Sequence, residues 1–279
     1  MKARLKTWGF TRVDFIADNT VDTQGFIAQN DKMILVVFRG SETFRGDMIA
    51  PIAAFKDWVL SDANIRQVGG GTKYGTRSRM HRGFTWAASN SIMSKVKALI
   101  GKNNTKPVFV TGHSLGGAVA TLVAYQLHNS GYPVRALYAH ATPRVGDLNF
   151  RVKWLSNGPP AYRTAYHRDP VPQYPLSVPA PFAPSPYMDI HSELRFIPKT
   201  GSILKNPSGR LLRRQRGTAP FIPGDEKYHA SFGYTQRLYM GMSSASRRKM
   251  APILSPVRVG TFPAPARATQ QCVWLDASR

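Results

Sequence analysis

Residues Pro107–Ala120 read P-V-F-V-T-G-H-S-L-G-G-A-V-A. Val108 and Val110 alternate with Phe109 and Thr111, the period of a short buried strand. After Ser114 the period changes: Leu115, Ala118, Leu122 and Val123 recur at helical spacing until Asn129-Ser130-Gly131 supplies a stop. Between the two periods lies G-x-S-x-G, formed by Gly112, His113, Ser114, Leu115 and Gly116. A sharp strand-to-helix turn holds the serine hydroxyl clear of the sheet, and glycines on either side let neighbouring backbone approach without a Cβ clash. A bare G-x-S-x-G arises by chance in roughly one chain of this length in ten at average glycine and serine frequencies. A strand before it and a helix after it make the reading specific: Ser114 sits on a nucleophile elbow, flanked by Gly112, His113 and Gly116.

Working outward, strand-like runs at Met33–Phe38, Val134–His140 and Tyr162–Tyr166 alternate with helical patterns at Phe84–Ile100 and Leu115–His128. That alternation predicts an α/β fold with a mainly parallel central sheet flanked by helices. In the first helical stretch Phe84, Ala88, Ile92, Val96 and Leu99 share an apolar face, and Gly101 stands where a helix ends. The proline-rich run Pro175–Pro186 and the irregular stretch Asn206–Asp225 read as surface loops. One domain is expected over residues 1–250. The Pro-rich segment 251–279 carries no periodicity and is expected to be a flexible tail.

Composition narrows the partners without naming them. A hydrophobic content of 42% with 14 Phe and 11 Tyr is enough for a sizeable core, and 23 Gly with 21 Pro indicates many turns. Cys272 is alone, so no intrachain disulfide forms. The basic start M-K-A-R-L-K is followed by no apolar run of signal-peptide or membrane-spanning length, so a chain without a targeting or spanning segment is expected. The 38 Lys+Arg against 15 Asp+Glu give a net charge of +23, which favours anionic partners such as lipid headgroups. Arg210, Arg213, Arg214 and Arg216 beside Leu211 and Leu212 form a basic-apolar patch suited to membrane contact. Zinc spacings and nucleic-acid recognition motifs are absent, so no specific nucleic-acid binding is expected.

A serine hydroxyl is a weak nucleophile and needs a histidine base, which in turn needs a carboxylate to fix its tautomer. Where a nucleophile elbow is used the chain order is Ser, acid, His. Asp169 follows the strand-like Y-R-T-A-Y and precedes the rigid Pro170-Val171-Pro172, making it the best-placed acid. His191 and His229 lie downstream of it, and His229, in K-Y-H-A-S-F-G-Y, is preferred as the base. No metal or cofactor is required by such a set, and no H-x-x-x-H motif suggests one.

The sequence resembles the class 3 lipase family, the fungal-type lipases of α/β-hydrolase fold. The resemblance runs through V-V-F-R-G-S at Val36–Ser41, D-W-V-L-S-D-A-N at Asp57–Asn64, M-H-R-G-F at Met80–Phe84, the elbow itself, A-T-P-R-V-G-D at Ala141–Asp147, R-D-P-V-P-Q-Y-P around Asp169, D-I-H-S-E-L-R-F at Asp189–Phe196 and Y-H-A-S-F-G-Y around His229. It covers about Gln24–Tyr234 and implies a serine carboxylic-ester hydrolase, most simply a triacylglycerol lipase, with Ser114, Asp169 and His229 catalytic and His191 structural. By the same resemblance the oxyanion is met by the backbone N–H of Leu115 and by Ser41. The substrate is then a lipid or other ester, with peripheral contact at a lipid interface. A phospholipase A acting on anionic membranes, or a lipase-like binding module without activity, are the alternatives. The helices that family members usually carry before the first strand are not visible, and the family's disulfides are absent. The stretch between Ser41 and Asp57 is long for the family. Its Met48, Ile49, Ile52 and Phe55, with Trp58, are expected to form an enlarged apolar lid.

Overall fold

The strand expected ahead of the elbow is, among the described residues, one of eight in a single sheet. The computed structural model describes residues 1–40, 66–167, 169–175, 185–197, 202–205 and 229. Along the chain lie α1 (Lys2–Thr7), β1 (Arg12–Asp18), β2 (Thr23–Gln29), β3 (Ile34–Phe38), β4 (Gln67–Gly69), α2 (Gly71–Tyr74), β5 (Arg79–His81), α3 (Arg82–Ala87) and α4 (Asn90–Ile100). There follow β6 (Val108–His113), α5 (Leu115–Asn129), β7 (Val134–His140), β8 (Gly146–Asp147), α6 (Leu148–Asn157) and β9 (Ala161–Tyr166). Last come β10 (Tyr187–Met188), β11 (Ser192–Ile197) and β12 (Ser202–Lys205). The main sheet has the order β1-β2-β3-β6-β7-β9-β11-β12. Its middle strands β3, β6, β7, β9 and β11 pair in parallel, while β1-β2-β3 at one side and β11-β12 at the other pair antiparallel. A second, antiparallel sheet has the order β10-β8-β5-β4. This is an α/β fold with a mainly parallel central sheet.

Parallel strands need both faces covered, and α5 supplies much of one cover. Residues Gly116–Tyr125 and Leu127 of α5 are all buried, so its apolar residues run round the whole helix as a central element requires. They pack with Ile34, Val36 and Phe38 of β3, Val108 and Val110 of β6 and Leu137 and Ala139 of β7. Ser130 caps α5 and Gly131 follows at φ 82, where the stop was expected.

The single helix expected over Phe84–Ile100 is two helices. α3 ends at Ala87, Ser89 sits outside helical geometry, and its Oγ accepts from the N–H of Ile92 at 3.2 Å to start α4. The apolar spacing is continuous across the break because Phe84, Ala88, Ile92 and Val96 all reach the same core. Capping, not periodicity, marks the boundary. Two antiparallel strands and a six-residue helix, none of them anticipated from the sequence, also precede the run at Met33. α1 buries only Leu5, against Phe10 and Ala28 on the far face of the hairpin, too little to leave a periodic signal.

The turn between β1 and β2 is tied to the start of α4. Asp18 Oδ1 accepts from the N–H of Thr20 at 3.1 Å and from its hydroxyl at 2.6 Å, and Ser89 Oγ donates to Oδ2 at 3.1 Å. The Thr20 hydroxyl, then the Ser91 hydroxyl, with smaller help from the Thr20 N–H and Ser89, lower the carboxyl from 3.8 to about 2 against the opposing effect of burial. A depressed carboxylate adds stability above its unfolded pKa, and the gain is lost as pH falls through the folded value. The melting-temperature advantage of wild type over Asp18→Asn should therefore shrink between about pH 4 and about pH 2. An advantage constant across that window would show that the carboxylate's charge is not what holds this junction.

No helix among the described residues is long and apolar enough to cross a membrane. The expected lid residues Met48, Ile49, Ile52, Phe55 and Trp58, the basic patch at Arg210–Arg216 and the tail 251–279 lie outside the described residues, as does Ser41.

Candidate active site

Three parallel strands end on the same edge of the sheet, each followed by a non-glycine residue at positive φ. Ser114 follows β6 at φ 58, Ala141 follows β7 at φ 53, and His167 follows β9 at φ 45. Such conformations cost of order 1–3 kcal/mol each and persist only where the surroundings hold them. At Ser114 those surroundings are explicit. Its N–H donates to the carbonyl of His140 at 2.9 Å, and its own carbonyl accepts from the N–H of Gly117 at 2.9 Å and of Ala118 at 3.2 Å. The turn is tight enough that a Cβ on Gly112 would lie 2.2 Å from the carbonyl oxygen of Gly116. One on Gly116 would lie 2.4 Å from that of Phe38, where β3 closes over the helix start. Both positions are glycine because no larger residue fits, as the elbow reading requires.

The structure brings Ser114, His229 and Asp169 together. His229 Nε2 lies 2.8 Å from Ser114 Oγ, and His229 Nδ1 lies 3.1 and 3.0 Å from the two carboxylate oxygens of Asp169. Asp169 is fully buried, and Ser114 and His229 are 5% and 6% exposed, so the contacts lie away from bulk water. The acid is oriented by its own loop: the Asp169 N–H donates to the carbonyl of Tyr166 at 2.8 Å, and Oδ1 accepts from the N–H of Val171 at 2.9 Å. A carboxylate on Nδ1 keeps that nitrogen protonated and leaves Nε2 free to accept from the serine hydroxyl.

His113 does more than fill the elbow. Its Nε2 lies 3.0 Å from the backbone carbonyl of His229, and since a carbonyl only accepts, His113 donates to it. Burial, then the neighbouring His229, lowers His113 to about 3, so it is neutral. Burial likewise lowers His140 to about 4, with its Nδ1 2.7 Å from Thr164 Oγ1. His191, weighed as a possible base, is not with the serine. It lies 3.3 Å from Thr121 Oγ1 on α5, and burial lowers it to about 3. Leu115 is the first residue of α5, so its N–H has no acceptor within the helix and stands at the positive end of the helix dipole.

One group was not legible as part of the site. Arg163 on β9 and Glu193 and Arg195 on β11 are buried within the sheet, joined by Asp189 and Arg144 in ion pairs. The available signal was an ionised residue inside each of two strand-like runs, A-Y-R-T-A-Y and S-E-L-R-F-I.

Strand order, elbow, and the Ser–His–Asp contacts together define an α/β-hydrolase domain with a serine-triad geometry. The class 3 lipase model matches residues 35–178, about half of the sequence, and the chain belongs to that family. The match takes in Ser114 and Asp169 and stops short of His229. The secreted mono- and diacylglycerol lipase A of Penicillium cyclopium is 32% identical over 166 residues, 58% of this chain and 50% of that protein. The lipase of Rhizomucor miehei is 34% identical over 163 residues, 55% of this chain and 41% of that protein. A solved triacylglycerol lipase, described as having its catalytic centre formed by a serine-protease triad, superimposes with a TM-score of 0.55. It shows 26% identity and covers 71% of each chain. This chain spans about half the length, or less, of the curated relatives it matches.

Proposed function

We propose that the chain is a serine carboxylic-ester hydrolase of the lipase type, acting on acylglycerols through Ser114, His229 and Asp169. The observation that carries this reading is the continuous hydrogen-bonded line from Ser114 Oγ through His229 to Asp169. The lipases among its relatives support acylglycerols as the substrate class.

In this mechanism Ser114 Oγ attacks the ester carbonyl carbon as His229 Nε2 takes its proton. The charge that develops on the carbonyl oxygen is met by the N–H of Leu115 and by Ser41. Collapse breaks the bond to the alcohol, which leaves with the proton held by His229, and the acyl group stays on Ser114. Water then attacks the acyl-enzyme with His229 again as base, releasing the fatty acid and restoring the serine. Asp169 holds the ring in the productive tautomer and stabilises the imidazolium.

A second reading, phospholipase A action on anionic bilayers, is favoured by the net charge of +23, which would concentrate the protein at such surfaces. Release of fatty acid from emulsified triacylglycerol and diacylglycerol, measured beside release from phosphatidylglycerol vesicles, separates the two. Acylglycerol turnover above vesicle turnover is the expected result. Preferential cleavage of the vesicles would move the substrate class to phospholipids, and release from none of them would overturn the hydrolase reading.

A further inference from the structure

The acid of the site stands on the loop after β9, and that loop begins in a strained turn. His167 is at φ 45, in the left-handed region that few non-glycine residues occupy. Asp169 comes two residues later, so the direction of this turn sets where its carboxylate points. The carbonyl of His167 accepts from Arg195 Nη1 at 2.8 Å. Arg195 is fully buried on β11, the strand paired in parallel with β9, and its Nε donates to Glu193 Oε1 at 2.8 Å. The other oxygen of Glu193 is held by Arg163, which also donates to the carbonyl of Pro172 at 3.4 Å, on the far side of Asp169. Arg144 holds the carbonyls of Gln173 and Pro175. Buried guanidinium groups therefore grip the backbone on both sides of Asp169, and Asp189 and Glu193 neutralise much of their charge.

We infer that Arg195, oriented by Glu193, is a positioning residue for Asp169, acting through the carbonyl of His167. A buried ion cluster is poor value as stabilisation, because desolvation offsets most of the attraction. A rigid fork whose donors have fixed directions instead gives geometric precision. The site needs that precision, since a displacement near 1 Å of a group outside the reacting atoms lowers rate by about 10²-fold.

The role attributed to Asp169 rests on the proposed function, but its contact with His229 does not, and the test uses both. The hydrogen of His229 Nδ1 is followed by its low-field proton resonance in the free protein, alongside kcat, KM and melting temperature. In Arg195→Met the resonance should move upfield and kcat should fall by about 10- to 10²-fold with KM unchanged. Arg195→Lys, which keeps one cationic donor, should recover part of both. Should Arg195→Met fail to fold, Arg195→Lys decides alone. A single ammonium cannot serve Glu193 and the His167 carbonyl in the fork's geometry, so a smaller upfield shift and a smaller loss of kcat are expected. A folded variant with unshifted resonance and wild-type kcat would overturn the inference, as would a loss of melting temperature with the resonance unchanged. If wild type hydrolysed no ester, the functional reading would fail while the resonance still judged the positioning role.

Discussion

Ser114→Ala is expected to lower ester hydrolysis by about 10⁶-fold, the scale seen when the nucleophile of a triad is removed alone. The substitution takes away the atom that forms the acyl bond and leaves His229, Asp169 and the Leu115 N–H in place. Alanine fits the elbow as well as serine does, because the tight contacts are to the glycines and the backbone of residue 114, not to its hydroxyl. The melting temperature should therefore stay near that of wild type, which separates lost chemistry from lost fold. Some rate above the reaction in water should remain from the oxyanion donors and from binding. Initial rates on an emulsified diacylglycerol, together with covalent labelling by a fluorophosphonate, read the effect. Turnover near wild type, or labelling undiminished in the variant, would place the nucleophile elsewhere.

The second large effect is expected at the acid. Asp169→Asn should lower kcat by about 10⁴-fold with the protein still folded. Oδ1 accepts from the Val171 N–H, and an asparagine oxygen that keeps this bond puts its NH₂ at Oδ2, 3.0 Å from His229 Nδ1. An NH₂ there donates, so Nδ1 becomes the acceptor and the ring proton moves to Nε2. The nitrogen facing Ser114 Oγ can then no longer accept the serine proton. The variant should melt no lower than wild type, since a buried carboxylate has been replaced by a neutral isostere. A rate within tenfold of wild type would remove Asp169 from the orienting role.

Much of this arrangement was legible because its signals are local. The elbow needs Gly112 and Gly116 within a few residues of Ser114, and the change from strand to helix period occurs across the same segment. Asp169 was found by its neighbours in sequence, a strand before it and two prolines after it. His229 was reached by chain order and by resemblance. What could not be read depends on contacts between distant segments. The helix break at Ser89 is set by a cap and by Asp18, 71 residues away. The hairpin of β1 and β2 mixes polar and apolar residues because its apolar side chains divide between two clusters, Ile16 and Ile27 in the main core and Ala28 with Leu5 and Phe10 in a small separate one. The grip of Arg195 on His167 crosses 28 residues and involves a charge inside a strand. Such a residue reads as a misfit until the loop it holds is seen.

The sequence separations within the site also bear on how the molecule comes to act. Ser114 and His229 are 115 residues apart, and Asp169 and His229 are 60 apart. The elbow is made by one strand, one turn and the helix that follows, a unit that closes a short loop. The histidine must be brought back over a much longer one, at a further entropic cost that grows with the logarithm of its length. A chain that has built its elbow but not yet docked residue 229 carries an exposed serine with no base to take its proton, and such a hydroxyl is a feeble nucleophile. On the proposed function, the elbow alone is therefore not enough for hydrolysis: the long-range closure that seats His229 beside Ser114 is needed as well.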